Sequence, residues 1–215
     1  MIKAVIFDLD GTLLDTLSDL HEALNFALMK NNLAPITLEM TRSYLGNGIK
    51  SLVTKAISDN ADKLQEVYTD FNEYYSTHLT IKSKPYENMF NLLDFLTANK
   101  IKLAVLSNKK EVYLKEIVEF FFSGYFLNVL GDKEGRKRKP DPTTLLSLIA
   151  NLGVKTDEVL YVGDSEVDIE TCLNASVLGA FVTYGFRKKS ELRCYKNINL
   201  FDSVSDLKAF IENHI

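Results

Sequence analysis

Asp8 and Asp10 stand two residues apart in the stretch Asp8-Leu9-Asp10-Gly11-Thr12, directly after the apolar run Ala4-Val5-Ile6-Phe7. Side chains along a strand alternate between faces, so carboxylates at this spacing at a strand end point the same way. Two acids so placed can divide the work of nucleophile and proton shuttle, and Gly11 lets the chain turn sharply behind them. The stretch reads as a phosphoryl-transfer site. Other polar groups gather after later apolar runs. Ser107, Asn108 and Lys109 follow one, Gly163, Asp164, Ser165 and Asp168 follow another, and Lys139-Pro140 opens a helical segment. In open parallel sheets ligands bind beyond the carboxyl ends of the strands, so these segments are expected to converge.

The elements that must position them are legible as periodicity. Residues 2–7, 103–106, 126–130, 159–162 and 180–183 are near-continuous apolar runs, as in strands buried on both faces. Helical faces lie between them: Met89, Leu92, Leu93 and Leu96, then Leu114, Ile117, Val118 and Phe121, then Leu145, Leu148 and Ile149. This alternation predicts an α/β fold, a Rossmann-like parallel-sheet core sandwiched by helices. Residues 16–83 break the rhythm. They hold no convincing strand, but carry helical faces at Leu17, Leu20, Leu24, Ala27 and Leu28 and at Leu64, Val67, Tyr68, Phe71 and Tyr75. We therefore expect a core domain of residues 1–15 and 84–215 and an inserted all-helical cap domain of residues 16–83. The extended preference of the residue before Pro85 suits a linker there.

Composition bounds the rest. The 215 residues are 46% apolar and 25% charged with only four Pro, an ordinary globular balance with enough chain for a core and an accessory domain. A net charge of −4 weighs against broad nucleic-acid binding and leaves a small molecule as the expected partner. The N-terminal apolar run is interrupted by Asp8 and Asp10, unlike a signal peptide, and no apolar stretch approaches the ~20 residues needed to cross a bilayer. The expectation is a cytoplasmic protein without membrane association, monomer or homodimer. Cys172 and Cys194 form neither a disulfide framework nor a zinc pattern and are expected to be buried reduced thiols. His21, His78 and His214 lie outside the motifs and read as surface or packing residues.

Read in order, DLDGT, SNK, KPDP and GDSEVD resemble the four motifs of the haloacid-dehalogenase superfamily of phosphohydrolases, and the resemblance covers essentially the full length. It implies Asp8 as a nucleophile that becomes an aspartyl-phosphate, and Asp10 as the general acid and base that protonates the leaving oxygen and then activates water. It implies Mg²⁺ held by Asp8, the Asp10 backbone carbonyl and Asp164, with Asp168 in the metal shell directly or through water. Carboxylate approaching phosphate is repulsive, so such cations are needed. Lys139 would supply further positive charge, while Thr12, Ser107 and Asn108 would hold the transferring oxygens. Read from the residues alone, Ser165-x-x-Asp168 is also a capping box, and Asp168 can serve both purposes. Asp15 or Thr16 can cap the first helix of the insertion.

The clearest signal in the insertion is Gly46-Asn47-Gly48, a tight loop with exposed amides before a helical stretch, suited to an anion or to a plain inter-helix turn. This segment is similar to the cap loop of phosphoglycolate phosphatases. That resemblance implies 2-phosphoglycolate as substrate, with Gly46, Asn47 and Gly48 and either Arg42 or Lys50 meeting its carboxylate. The enzymatic rivals are a β-phosphoglucomutase-type sugar-phosphate mutase, a pyrophosphatase and a general sugar-phosphate phosphatase. The mutase pattern often has Val in place of Thr12 and His in place of Leu20. From a different class, a phospho-Asp signalling domain or a non-catalytic binding module would carry similar acids without turnover.

Overall fold

The computed structural model describes all 215 residues. Its sheet is built from β1 (Ala4–Phe7), β4 (Lys102–Lys110), β5 (Asn128–Asp132), β6 (Val159–Gly163), β7 (Leu178–Val182) and β8 (Asn199–Phe201). All neighbours are parallel, in the order β5-β4-β1-β6-β7-β8. The chain thus winds outward from β1 in one direction and then in the other. The strand ends next to β1 form the crevice where such sheets bind ligands. Helices α5 (Met89–Ala98), α6 (Glu111–Phe122), α7 (Thr143–Leu152), α8 (Glu166–Ala175), α9 (Lys189–Leu192) and α10 (Val204–Glu212) complete this layered α/β architecture. The fold class is the expected one.

Strand alternation divides the interior. Val5, Phe7, Leu103, Val105, Leu160 and Val162 point into one apolar cluster, whereas Ala4, Ile6, Ala104, Leu106, Val159 and Tyr161 point into a second. Central β1 and β6 are buried along their whole length, but β5 is mostly half-buried because it lies at the sheet edge. Two strand features escape the periodicity. Residues 199–201 form an edge strand too short to alternate visibly, and β4 runs on past its apolar stretch to Lys110 through an irregular register with β5. On α6 Tyr113 and Phe122 are the buried aromatics, with Phe121 only half-buried.

Four helices, α1 (Leu17–Lys30), α2 (Leu38–Tyr44), α3 (Gly48–Ile57) and α4 (Leu64–Ser76), lie between β2 (Leu14–Asp15) and β3 (Lys84–Pro85). β2 and β3 pair antiparallel, so the chain leaves and re-enters the α/β body through one short ribbon. Leu20, Leu24, Leu52, Phe71 and Tyr75 of these helices belong to the same apolar cluster as Val5 and Phe7. No helix is long and apolar enough to cross a membrane. Cys172 is buried as expected, whereas Cys194 is exposed because it follows the short surface helix α9.

Candidate active site

Asp8 follows β1, Ser107 lies in the C-terminal half of β4 and Asp164 follows β6, so three adjacent strands deliver them to one point. Asp8 Oδ1 accepts from the Leu9 backbone N–H at 2.7 Å, and Asp8 Oδ2 is 3.1 Å from Lys139 Nζ. That ammonium also meets Asp168 Oδ1 at 2.7 Å and Tyr161 Oη at 2.9 Å, giving each of its three hydrogens an acceptor. Burial pushes the Asp8 carboxyl up to about 6, with the Lys139 charge pulling the other way. Burial, then the charges of Asp168 and Asp8, raise Asp164 well above the ordinary range. Burial also opposes ionisation of Asp168, but the Lys139 charge and hydrogen bonds from Lys139, Ser165 and Tyr161 hold it below its usual value.

Backbone shape lets these groups approach. Gly11 has φ +82°, and a Cβ there would collide with the Asp164 carboxylate. Gly48 has φ +80°, and a Cβ would come within 3.2 Å of the Asn108 carbonyl, so this glycine brings the α3 N-terminus against the end of β4. Asp10 faces the same cleft. Its Oδ1 accepts from Thr16 Oγ1 at 2.6 Å and Lys109 Nζ at 2.9 Å. Lys109 in turn donates to Tyr75 Oη on α4 at 2.8 Å.

Asp8, Asp164 and Asp168 bring one carboxylate oxygen each within 4.8 Å of one another, all buried. Lys139 pairs with Asp8 and Asp168 but not with Asp164, so the three acids leave negative charge that a divalent cation would balance, and an all-oxygen donor set suits a hard ion. Asp164 has room for one, since Oδ2 accepts from the Phe186 N–H at 2.6 Å and no protein donor reaches Oδ1. Asp168 differs. Its Oδ2 accepts from the N–H groups of Asp164 and Ser165 and from Ser165 Oγ, completing the capping box of α8, while Oδ1 holds Lys139 and Tyr161.

The model of the haloacid dehalogenase-like hydrolase family matches residues 5–182, which span every motif just described. The chain belongs to that family. The hydrolase is 32% identical over its whole length to the phosphoglycolate phosphatase of Aquifex aeolicus, covering 99% of that protein. It is 34% identical to the phosphoglycolate phosphatase of Rhodospirillum rubrum, over 88% of this chain and 83% of that one. A solved candidate phosphoglycolate phosphatase from Lactobacillus delbrueckii subsp. bulgaricus superposes with a TM-score of 0.92 at 33% identity, covering 97% of this chain and 98% of the other.

Several expected site residues of this hydrolase lie elsewhere than anticipated. Asp8, Asp10, Ser107, Asn108 and Asp164 line the cleft with Gly46 and Gly48 of the insertion, but Thr12, Arg42, Asn47 and Lys50 do not. Thr12 is fully enclosed with its hydroxyl unpartnered, so it cannot reach a ligand in the cleft. Arg42 donates to the carbonyls of Phe186 at 2.7 Å and Gly185 at 3.1 Å. Asn47 and Lys50 are exposed because α3 buries Ile49, Leu52 and Val53 instead. The Asn108 side chain binds backbone rather than an open ligand seat. It donates to the Lys139 and Gly46 carbonyls and accepts from the Lys139 N–H. Thr16 turns its hydroxyl to Asp10 and makes no side-chain cap, whereas Asp15 accepts from the Leu17 N–H.

Three participants went unassigned by sequence reasoning: Lys109, Tyr75 and Arg187. Lys109 had a signal, since it completes the SNK motif. Tyr75 had only its helical apolar spacing. Arg187 lines the cleft and reaches Glu166 and the carbonyls of Arg42 and Leu45, and nothing local in Phe186-Arg187-Lys188 marks it.

Proposed function

We propose that this hydrolase is a Mg²⁺-dependent phosphatase that cleaves a small phosphomonoester, 2-phosphoglycolate, through an aspartyl-phosphate on Asp8. The observation that carries the reading is the Asp8 carboxylate, anchored by the Leu9 N–H and Lys139, with Asp10 held separately on the same cleft. In the first half-reaction an Asp8 oxygen bonds to phosphorus and the bond from phosphorus to the ester oxygen breaks. The departing oxygen takes a proton from Asp10. In the second, Asp10 takes a proton from water as the water oxygen bonds to phosphorus, and the acyl-phosphate bond breaks to restore Asp8. Ser107 meets the phosphoryl oxygens from the cleft wall, while the Lys139 charge against Asp8 eases the approach of the phosphate. A divalent ion held by Asp8, Asp164 and the Asp10 carbonyl would shield the approach of one anion to another. Asp168 supports this arrangement by seating Lys139 and capping α8.

Residues 16–83 act in this reading as a cap that swings on the ribbon of β2 and β3, and domain closure of this kind excludes water during the reaction. Leu20, Leu45, Ile49, Leu52 and Phe186 wall the cleft beneath it, an apolar surround to the polar seat at Asp8 and Asp10. The names of the relatives above support the two-carbon acid. Leu20 supplies an apolar wall where a mutase pattern would carry histidine.

Asp8→Asn is expected to lower kcat by roughly 10⁴-fold or more, because an amide cannot act as the nucleophile. A normal kcat in that variant would defeat the covalent route. Phosphate release with Mg²⁺ from 2-phosphoglycolate, pyrophosphate, β-glucose 1-phosphate and nucleotides tests the substrate. A kcat/KM preference for 2-phosphoglycolate is expected, broad weak hydrolysis would remove that assignment, and isomerisation of glucose 1-phosphate without release would make it a mutase.

A further inference from the structure

Lys109 has no task in the reaction just described, yet it is placed with unusual care. Its side chain is 2% exposed, and its ammonium lies 2.9 Å from Asp10 Oδ1, 3.3 Å from Asp10 Oδ2 and 2.8 Å from Tyr75 Oη, with the Tyr75 ring centre at 4.9 Å. Two carboxylate oxygens and one phenol occupy its three hydrogens, so none remains for a substrate carboxylate. The contacts to Asp10 are unequal. Oδ1 receives both the Thr16 hydroxyl at 2.6 Å and the closer lysine contact, while Oδ2 has only the longer one. Oδ2 is therefore the less tightly held of the two oxygens.

We propose that Lys109 is a positioning residue for the proton shuttle, turning Asp10 Oδ2 toward the ester oxygen, and that Tyr75 fixes Lys109 from the α4 helix. This rests on the phosphatase reading above. The step concerned is the first one, in which the bond from phosphorus to the ester oxygen breaks as that oxygen takes the proton from Asp10. An alkoxide leaving group needs the proton, whereas a nitrophenolate leaves without it. Misplacing the acid should therefore damage the two reactions unequally, and general packing damage should not.

The test measures kcat/KM, which reports steps through phosphoenzyme formation, for the Mg²⁺-loaded enzyme on 2-phosphoglycolate, ethyl phosphate and p-nitrophenyl phosphate. Lys109→Met is expected to lower the value for both alkyl esters roughly 100-fold and for the aryl ester less than about tenfold. Tyr75→Phe keeps the ring and its packing, and is expected to give the same ordering with smaller factors; it also reads the link should Lys109→Met not fold. Equal losses on alkyl and aryl esters would overturn the positioning role. A loss confined to 2-phosphoglycolate with ethyl phosphate unaffected would make Lys109 a carboxylate ligand instead. An unchanged Tyr75→Phe would overturn the link through α4. No phosphate release from any ester by the unaltered enzyme is a separate result that defeats the phosphatase reading, and this inference with it.

Discussion

At Asp8, burial disfavours the charge that Lys139 favours, and burial prevails, leaving the carboxyl at about 6. A raised carboxyl pKa means that the folded protein holds this proton more tightly than the unfolded chain does. The contribution of Asp8 to metal-free stability is therefore fully favourable at low pH, and falls as pH rises from about 4 to about 6. Asp164, raised by burial and by the Asp168 and Asp8 charges, acts in the same sense. A divalent cation bound by the ionised carboxylates offsets the loss. Thermal melts with Mg²⁺ or with EDTA are expected to show a Tm gain that is large at about pH 7.5 and vanishes at about pH 4. A gain independent of pH would put the ion away from these acids. The acids themselves were legible, because two carboxylates after a buried strand have few structural uses. Their partners were not. Thr12 and Thr16 are both hydroxyl residues near the turn, and only the path of the chain after Gly11 decides that Thr16 meets Asp10 while Thr12 is enclosed.

Among the elements, the contact between α2 and the segment after β7 is reciprocal. Arg42 reaches outward to the carbonyls of Gly185 and Phe186, and Arg187 reaches back to those of Arg42 and Leu45, while also pairing with Glu166. Arg187 so satisfies carbonyls at the C-terminus of α2, where a cation is favoured. These bonds seat the Gly46 loop over the cleft. Arg187→Met is expected to raise KM about tenfold with a smaller change in kcat, as loss of charge-assisted bonds loosens that loop. Lys50→Ala, on the exposed side of α3, is expected to leave kcat/KM within about twofold, since surface changes away from special contacts are mild. Steady-state kinetics on 2-phosphoglycolate checks both, and the reverse ordering would restore Lys50 as a substrate contact. Sequence reasoning chose Arg42 and Lys50 because a cation beside a glycine loop suits a carboxylate. It could not see that backbone carbonyls 143 and 144 residues away hold Arg42 instead.

Across the whole molecule, the inserted helices and the sheet share one apolar cluster, with Leu24 and Phe71 in the same core as Val105 and Val162. A shared core couples the unfolding of its parts. Calorimetry is expected to show a single transition with calorimetric and van't Hoff enthalpies in a ratio of about one. Two resolved transitions would mean that the insertion folds on its own. The sequence by itself determined the class of chemistry and the α/β frame. Near-continuous apolar runs followed by polar residues put Asp8, Ser107 and Asp164 toward the carboxyl ends of strands at one edge of a parallel sheet, and the fold then made those strands neighbours. Only the tertiary structure decided which long side chains face the cleft and which tie elements together. Lys109 meets Asp10 across 99 residues and Arg187 meets Arg42 across 145, and a flexible cation takes whichever acceptors the folded backbone brings within reach.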